Sequence, residues 1–401
     1  MKKPLIALAA ATAALCACAD GWMGRIADGA FIDQLSIPGT HDSATGEGTS
    51  LDAFARTQDL SLAEQFEAGI RAFDLRPSAN GSTLGIYHGT VATKISFEEA
   101  LTQFCRLLDE NPTEFIIVIM RHEDDRENDS EKAAWSGLVA DVLASEKFAS
   151  RFIPFSQSLT VGETRGRILL LSRDKYASKP TGGFISSWTH SPDLSEQSKA
   201  RITGASARES AKLTVQDYYE MKNQEQLDTE ISAITALLDH STTLHTVSGH
   251  QWVINHTSGY YASLFATADA YRKNAATTNR TVIDYLADEN HAGPTGLIMM
   301  DFAGTDRSGL YDVNGLALTE AVIGNNFRYE MKGQYSSIET TMPEPSASLR
   351  IKGATVTAPG LIRAYLIDGT HVAEAYGTLT LDNAGLYIVT CGSETAKIAV
   401  R

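Results

Sequence analysis

The sequence has little cysteine, a shortage of positive charge and no long internal repeat, and each shortage closes off a class of protein. Four cysteines occur in 401 residues, and two of them, Cys16 and Cys18, stand at the amino terminus. The other pair, Cys105 in a helix-patterned stretch and Cys391 near the carboxyl end, gives neither a disulfide framework nor a thiolate metal site. A net charge of −15 argues against nucleic acid as a partner and against broad electrostatic adhesion to anionic bilayers. Any membrane contact then has to be local and apolar. The composition, 43% hydrophobic and 21% charged, is otherwise that of a soluble globular chain long enough for two domains.

What is present is a pair of histidines around an arginine. The segment Leu35 to Ser43 puts His41 and Asp42 in a turn directly after an apolar stretch, and His88 follows in Ile86-Tyr87-His88-Gly89. Between them, the alternation from Gly69 to Arg76 sets Arg71, Phe73 and Leu75 on one side of a strand, with Asp74 and Arg76 together on the other. Cleavage of an alkyl phosphodiester needs a base for the attacking oxygen, an acid for a poor alkoxide leaving group and fixed positive charge at the phosphoryl oxygens. His41, His88 and Arg76 are the residue types for those three tasks. An unperturbed imidazole titrates near pH ~6.5, so one ring can start neutral and the other protonated. Singly, each histidine reads as a hydrogen-bonded turn residue; the grouping carries the signal.

Three apolar runs, 116–120, 168–172 and 297–300, each end in a charged residue: Arg121, Arg173 and Asp301. Continuous apolar runs indicate strands covered on both faces. In a β/α barrel, functional side chains gather at the carboxyl ends of the strands, and Asp74 and Arg76 before Pro77 fit the same pattern. The fold class expected is α/β, a distorted TIM-type barrel. Helices are expected near 60–69, 97–109, 131–146 and 261–273.

These motifs, in this order, resemble the X-type catalytic domain of the phosphatidylinositol-specific phospholipases C, most closely the small metal-independent bacterial enzymes. Besides IPGTHDS, RAFDLR and YHG, the resemblance runs through Glu114 to Glu123, Arg165 to Arg173, Val215 to Tyr219 and Leu297 to Phe302, within residues 26 to 327. It implies that His41 is the general base on the inositol 2-hydroxyl, oriented by Asp301, and that Arg76 holds the phosphate with its geometry fixed by Asp74. It further implies that His88, assisted by Asp42, protonates the departing diacylglycerol oxygen, giving an inositol 1,2-cyclic phosphate. Arg121, Arg173, Asp217 and Tyr219 match positions that grip the inositol ring. Where the relative in question has a lysine before a second basic residue, this chain has Arg121-His122, so specificity toward substituted inositols, as in glycosylphosphatidylinositol anchors, is open. The resemblance also implies no metal and no cofactor, because the metal-independent bacterial members carry an arginine at the position of Arg76 where calcium-dependent relatives place carboxylates, and a guanidinium replaces the charge of a cation.

Met1-Lys2-Lys3 followed by an apolar stretch to Leu15 has the pattern of an export signal over residues 1–19 and is too short to span a bilayer. Leu15-Cys16-Ala17-Cys18 resembles a lipoprotein box with Cys18 as the acylated residue, and Ala17-Cys18-Ala19 also fits an ordinary cleavage site. The mature chain is expected outside the cytoplasm, as a cell-surface or outer-membrane lipoprotein or a secreted monomer. The catalytic barrel is assigned to 20–330, a linker to 331–345, and a small β-sandwich to 346–401, where short strand-like segments alternate with turns at Pro359-Gly360, Asp368-Gly369 and Asn383 to Gly385. The end of the chain resembles the sorting domains of type IX secretion. Apolar membrane contact is expected around Leu51 to Phe54 and Gly259 to Phe265. Two other functions remain open at this level: a metal-dependent glycerophosphodiester phosphodiesterase, and a noncatalytic surface binding protein on an inactive barrel.

Overall fold

In the computed structural model the described residues are 21–334, except 207, 263–265 and 305, and 349–400, except 367–369, 382 and 392–393. The export signal and most of the expected linker lie outside them. The chain divides into two compact units, residues 1–334 and 335–401.

The first unit is a closed barrel of nine strands whose order around the barrel is their order in the chain. Strands β1 (Ser36–Thr40) and β2 (Ala72–Leu75) begin it, and a three-stranded antiparallel sheet of β3 (Pro77–Asn80), β4 (Thr83–His88) and β5 (Val91–Ser96) is inserted after β2. The barrel resumes with β6 (Ile116–Met120), β7 (Ile168–Ser172), β8 (Gly183–Ser186), β9 (Arg201–Thr203) and β10 (Ser210–Gln216). A short β11 (Glu220–Met221) pairs outside it with β13 (Tyr260–Tyr261), and β12 (Gln251–His256) and β14 (Gly296–Met300) close the ring against β1. Pairing is parallel except at β9, which runs antiparallel to both β8 and β10. That strand is the distortion of the TIM-type barrel.

The apolar runs read from the sequence are buried throughout β6 and β14. Alternation sorts them into two layers. Ile117, Ile119, Leu169, Leu171, Leu297 and Met299 fill the barrel with Trp252, whereas Ile116, Val118, Met120, Leu170, Ile298 and Met300 face the surrounding helices. The interior is full: a Cβ built on Gly39 would lie 2.5 Å from Met299 Sδ and 2.8 Å from Ala72 Cβ.

Helices Leu62–Glu67, Phe97–Glu110 and Asp129–Ala144 lie where the spacing places them, and each begins at a capping box, Ser61 with Glu64, Ser96 with Glu99, and Asn128 with Glu131. The helix expected over 261–273 is instead Ala268–Ala287, because Thr267 caps the amide of Ala270 and Tyr260–Tyr261 is drawn into a strand beside β11. Helix Gln224–Ser241, absent from the sequence reading, covers β10 and β12. Among the described residues no helix is long and apolar enough to cross a membrane.

The second unit is a five-stranded antiparallel sheet of β15 (Arg350–Lys352), β16 (Thr355–Leu366), β17 (His371–Thr380), β18 (Gly385–Cys391) and β19 (Glu394–Val400). The long β16 pairs with β17 on one edge and with β15 and then β18 on the other. Alternate residues, among them Val356, Ile362, Ala364, Leu379, Tyr387, Val389 and Ile398, form its own apolar core.

The amino-terminal end of the barrel is locked by a buried ion pair. Arg71, directly before β2, donates through Nε to Glu114 Oε2 at 2.9 Å and through Nη1 to the Phe66 and Ile70 carbonyls. Removing one partner of such a pair strands the other in a low-dielectric interior, so Arg71→Met should cost about 3–5 kcal/mol in urea denaturation, and the double variant with Glu114→Leu should recover much of it.

Candidate active site

Register builds the site. Thr40 on β1 pairs with Met300 on β14, so the next residues, His41 and Asp301, stand side by side at the carboxyl end of the barrel. His41 Nδ1 lies 2.9 Å from Asp301 Oδ1, with Nδ1–H donating to the carboxylate. Gln58 fixes both strand ends by donating from Nε2 to the carbonyls of His41 (3.0 Å) and Met300 (2.9 Å).

Asp42 follows in the left-handed region, φ 43° and ψ 49°, which aspartate tolerates better than most residues. This turn aims both its amide and its carboxylate at β2: the amide donates to Asp74 Oδ2 (3.2 Å), and Oδ2 forms an ion pair with Arg76 Nη1 at 2.9 Å. Arg76 also donates to Asp74 Oδ2 through Nη2 (2.9 Å) and Nε (3.1 Å), and its Nη1 is 3.8 Å from Glu123 Oε2. His88 comes from the inserted sheet, at the end of β4. Its Nδ1–H donates to the Ala55 carbonyl at 2.8 Å, turning Nε2 toward Asp42 Oδ2, 3.7 Å away. The His41 and His88 rings are 6.3 Å apart between centroids. Their side chains are 14% and 17% exposed, so each still opens to the mouth.

The charges are unevenly settled. Burial lowers the His41 imidazole to about 4, with Asp42 pulling the other way, so the ring is a neutral base at ordinary pH. Burial works against ionisation of Asp74, yet Arg76 beside it brings the carboxyl to about 2. Burial pushes Asp301 well above the usual carboxylate range, and the Gly259 amide, which donates to Oδ2 at 3.3 Å, is the largest influence the other way, ahead of the nearby His88 and Arg76. His41, Asp42 and Asp74 could present ligand atoms within 4.8 Å of one another to a cation. The Arg76 guanidinium, 2.9 Å from both carboxylates, already neutralises that ground.

Three of the four expected ring-binding residues line two separate recesses, and the fourth, Asp217, is buried. Arg121 and Arg173, adjacent through the Met120–Ser172 register, line a cavity of about 640 Å³ with Trp188. The Arg173 guanidinium stacks on the Trp188 ring at 3.9 Å. Arg121 Nη1 approaches the buried Glu123 Oε2 at 3.8 Å. Asp217 accepts from Trp188 Nε1 (2.7 Å) and approaches His190 Nδ1 (3.1 Å); against the penalty of burial, His256 and then His190 and Arg173 hold its carboxyl well below the usual range. Tyr219, 40% exposed, lines a separate recess with His190. Among the described residues, no direct contact joins Tyr219 to the two histidines of the sequence motif.

Three groups at this mouth escaped the sequence reading. His256 ends β12, 3% exposed, its ring 6.1 Å from that of His41. The rule that found Asp301, a polar residue after an apolar run, applies equally after Trp252-Val253-Ile254. Tyr271, with its hydroxyl 3.4 Å from His88 Nε2, sits in an alanine-rich helix that gives no signal. Trp188 is presented by Ser187 at φ 58°, which no pattern announces.

Residues 35–174 match the family model described as phosphatidylinositol-specific phospholipase C, X domain. The chain is 34% identical over 164 residues to the 1-phosphatidylinositol phosphodiesterase of Listeria monocytogenes, covering 40% of this chain and 50% of that protein. It is 27% identical over 158 residues to the protein of the same name from Staphylococcus aureus, covering 38% and 51%. The chain thus spans about half the length of each relative. Among solved structures, a double variant of the phosphatidylinositol-specific phospholipase C from S. aureus superposes with TM-score 0.60 at 21% identity, over 80% of this chain and 99% of that one. The L. monocytogenes phospholipase gives 0.57 at 23%, over 77% and 98%. At this identity the structures establish the shared barrel fold.

Burial lowers His256 to about 4, with His41 and Arg173 acting the same way against Asp217 and Asp74. In the unfolded chain a histidine titrates near ~6.5, so the stability tied to a neutral His256 is present above that pH and is lost as pH falls toward 4. Denaturation midpoints measured at pH 7 and pH 5 should therefore differ less for His256→Gln than for the parent chain.

Proposed function

We propose that this chain, whose residues 35–174 match the family model of the phosphatidylinositol-specific phospholipase C X domain, cleaves phosphatidylinositol to diacylglycerol and inositol 1,2-cyclic phosphate. The observation that carries the reading is a neutral imidazole paired with Asp301 and a second imidazole 6.3 Å away, both flanking the Arg76 guanidinium. The inositol 2-hydroxyl gives its proton to His41, and its oxygen forms a bond to phosphorus. The bond to the diacylglycerol oxygen breaks, and His88 supplies that oxygen with a proton. Arg76 faces the phosphoryl oxygens while Asp42 and Asp74 hold it. Because nucleophile and phosphorus belong to one molecule, proximity is built into the substrate and no covalent enzyme intermediate is needed. The metal-dependent alternative gains nothing from carboxylates already taken up by a guanidinium.

The lipid is met at a membrane. Leu51 and Phe54, 55% and 49% exposed just past the His41 turn, offer the apolar contact that a net charge of −15 demands. Tyr260 and Tyr261 are half-buried, and residues 263–265 of the second expected contact lie outside the described residues. The amino-terminal pattern supports export, with the chain acylated at Cys18 or released, and mass spectrometry of the mature chain decides between them. The same measurement tests a carboxyl-terminal sorting role for 346–401.

Phosphorus NMR of phosphatidylinositol incubated with the protein in EDTA should show the cyclic phosphate at undiminished rate. An acyclic monoester, no turnover, or recovery only on adding Ca²⁺ would each refute the reading. His41→Ala and His88→Ala should each lose several orders of magnitude, about 10²–10⁴-fold, on the lipid. A substrate with an activated leaving group should rescue the His88 variant far more than the His41 variant, since less proton donation is then required.

A further inference from the structure

We propose that Tyr271 is a positioning residue for the acid: its hydroxyl oxygen accepts the Nε2–H of the protonated His88 ring, holding the imidazolium in place until the leaving oxygen arrives. This rests on the role given to His88 above. Because Nδ1–H is committed to the Ala55 carbonyl at 2.8 Å, the ring's orientation is fixed and its mobile proton can stand only on Nε2. Two acceptors face that atom, Tyr271 Oη at 3.4 Å and Asp42 Oδ2 at 3.7 Å. Asp42 is already shared between His41 Nε2 at 3.2 Å and Arg76 Nη1 at 2.9 Å. Among the described residues, His88 is the one hydrogen-bonding contact of the Tyr271 hydroxyl.

Tyr271 is well placed to stay put. It lies in the first turn of helix Ala268–Ala287 and is 5% exposed. Its ring packs with Phe302 and Val313 and edge-on against Tyr260, centroids 5.7 Å apart. The next residue, Arg272, ties the helix down through Asp59 (3.0 Å) and Asp306 (2.8 Å). Burial and the nearby Asp301 and Asp42 carboxylates keep the phenol protonated far into the alkaline range, so it remains a neutral dipole throughout the working pH. The other charged or titratable groups around His88 are Asp42, Arg76, His41 and Asp301, together with Glu123, which accepts from the amide of Gly89.

A hydrogen bond accepted from an imidazolium favours the charged ring, so its removal makes His88 lose its proton at lower pH. Tyr271→Phe keeps the ring packing and deletes only the hydroxyl. Proton and nitrogen NMR titration of the full chain reads the effect without any substrate: the His88 signals should titrate at a pH lower by about half a unit or more in the variant. With phosphatidylinositol, the alkaline limb of kcat/KM should move the same way and the rate above it should fall roughly tenfold, with a smaller loss on an activated leaving group. An unmoved His88 titration in a folded variant, or equal losses on both substrates, overturns the proposal. A parent chain that turns over neither substrate, while the titration shifts as expected, refutes the phospholipase reading instead and leaves the contact standing.

Discussion

The site depends on one guanidinium held between two carboxylates. Arg76 emerges at the end of β2, Asp74 stands two residues before it, and Asp42 arrives from β1 through a left-handed turn. Three buried charges in one place cost a great deal of solvation, and they are tolerated because the guanidinium hydrogen-bonds Asp74 and forms an ion pair with Asp42, each at 2.9 Å. The net result is a fixed positive pole with both histidines at its edges. Asp42 is the hinge of this arrangement, since His41, His88 and Arg76 all approach the same oxygen, Oδ2, at 3.2, 3.7 and 2.9 Å.

Around that pole the barrel separates stability from chemistry. The Arg71–Glu114 lock is on the amino-terminal side of β2 and carries no substrate-facing group. The opposite end collects His41, Asp74, Arg121, Arg173, Asp217, His256 and Asp301 from successive strands. Parallel pairing makes this possible, because every strand except β9 delivers its last residue to the same rim. The inserted sheet β3 to β5 then brings His88 over the rim from outside the barrel, giving the second imidazole a direction of approach that no barrel strand provides.

The parts of this organisation that are local in sequence could be read there. Continuous apolar runs of four or five residues indicate strands covered on both faces, so β6, β7 and β14 and the charges after them were legible. So were three helices, because the apolar spacing that marks them is local. Helix Ala268–Ala287 was misplaced at its start because strand pairing of Tyr260 and Tyr261 with Glu220 and Met221 overrode the local preference. Trp188 and Tyr271 were invisible, since a tryptophan after an irregular turn and a tyrosine in an alanine-rich helix look like ordinary core.

The sequence by itself determined the reagents: two histidines, an arginine and their carboxylates, with the alternation that sends Asp74 and Arg76 to one side of a strand. Only the tertiary structure decided their relations. Nearest-neighbour contacts between residues 41 and 301, or 88 and 271, are set by barrel closure and by the docking of a helix, which depend on the packing of the whole unit and leave no mark in any short window of the chain. Protonation follows the same division. Residue type fixes which groups titrate, but burial and neighbouring charge decide that His41 stays neutral while Asp74 stays ionised, because the cost of desolvating a charge exists only once the chain has closed around it.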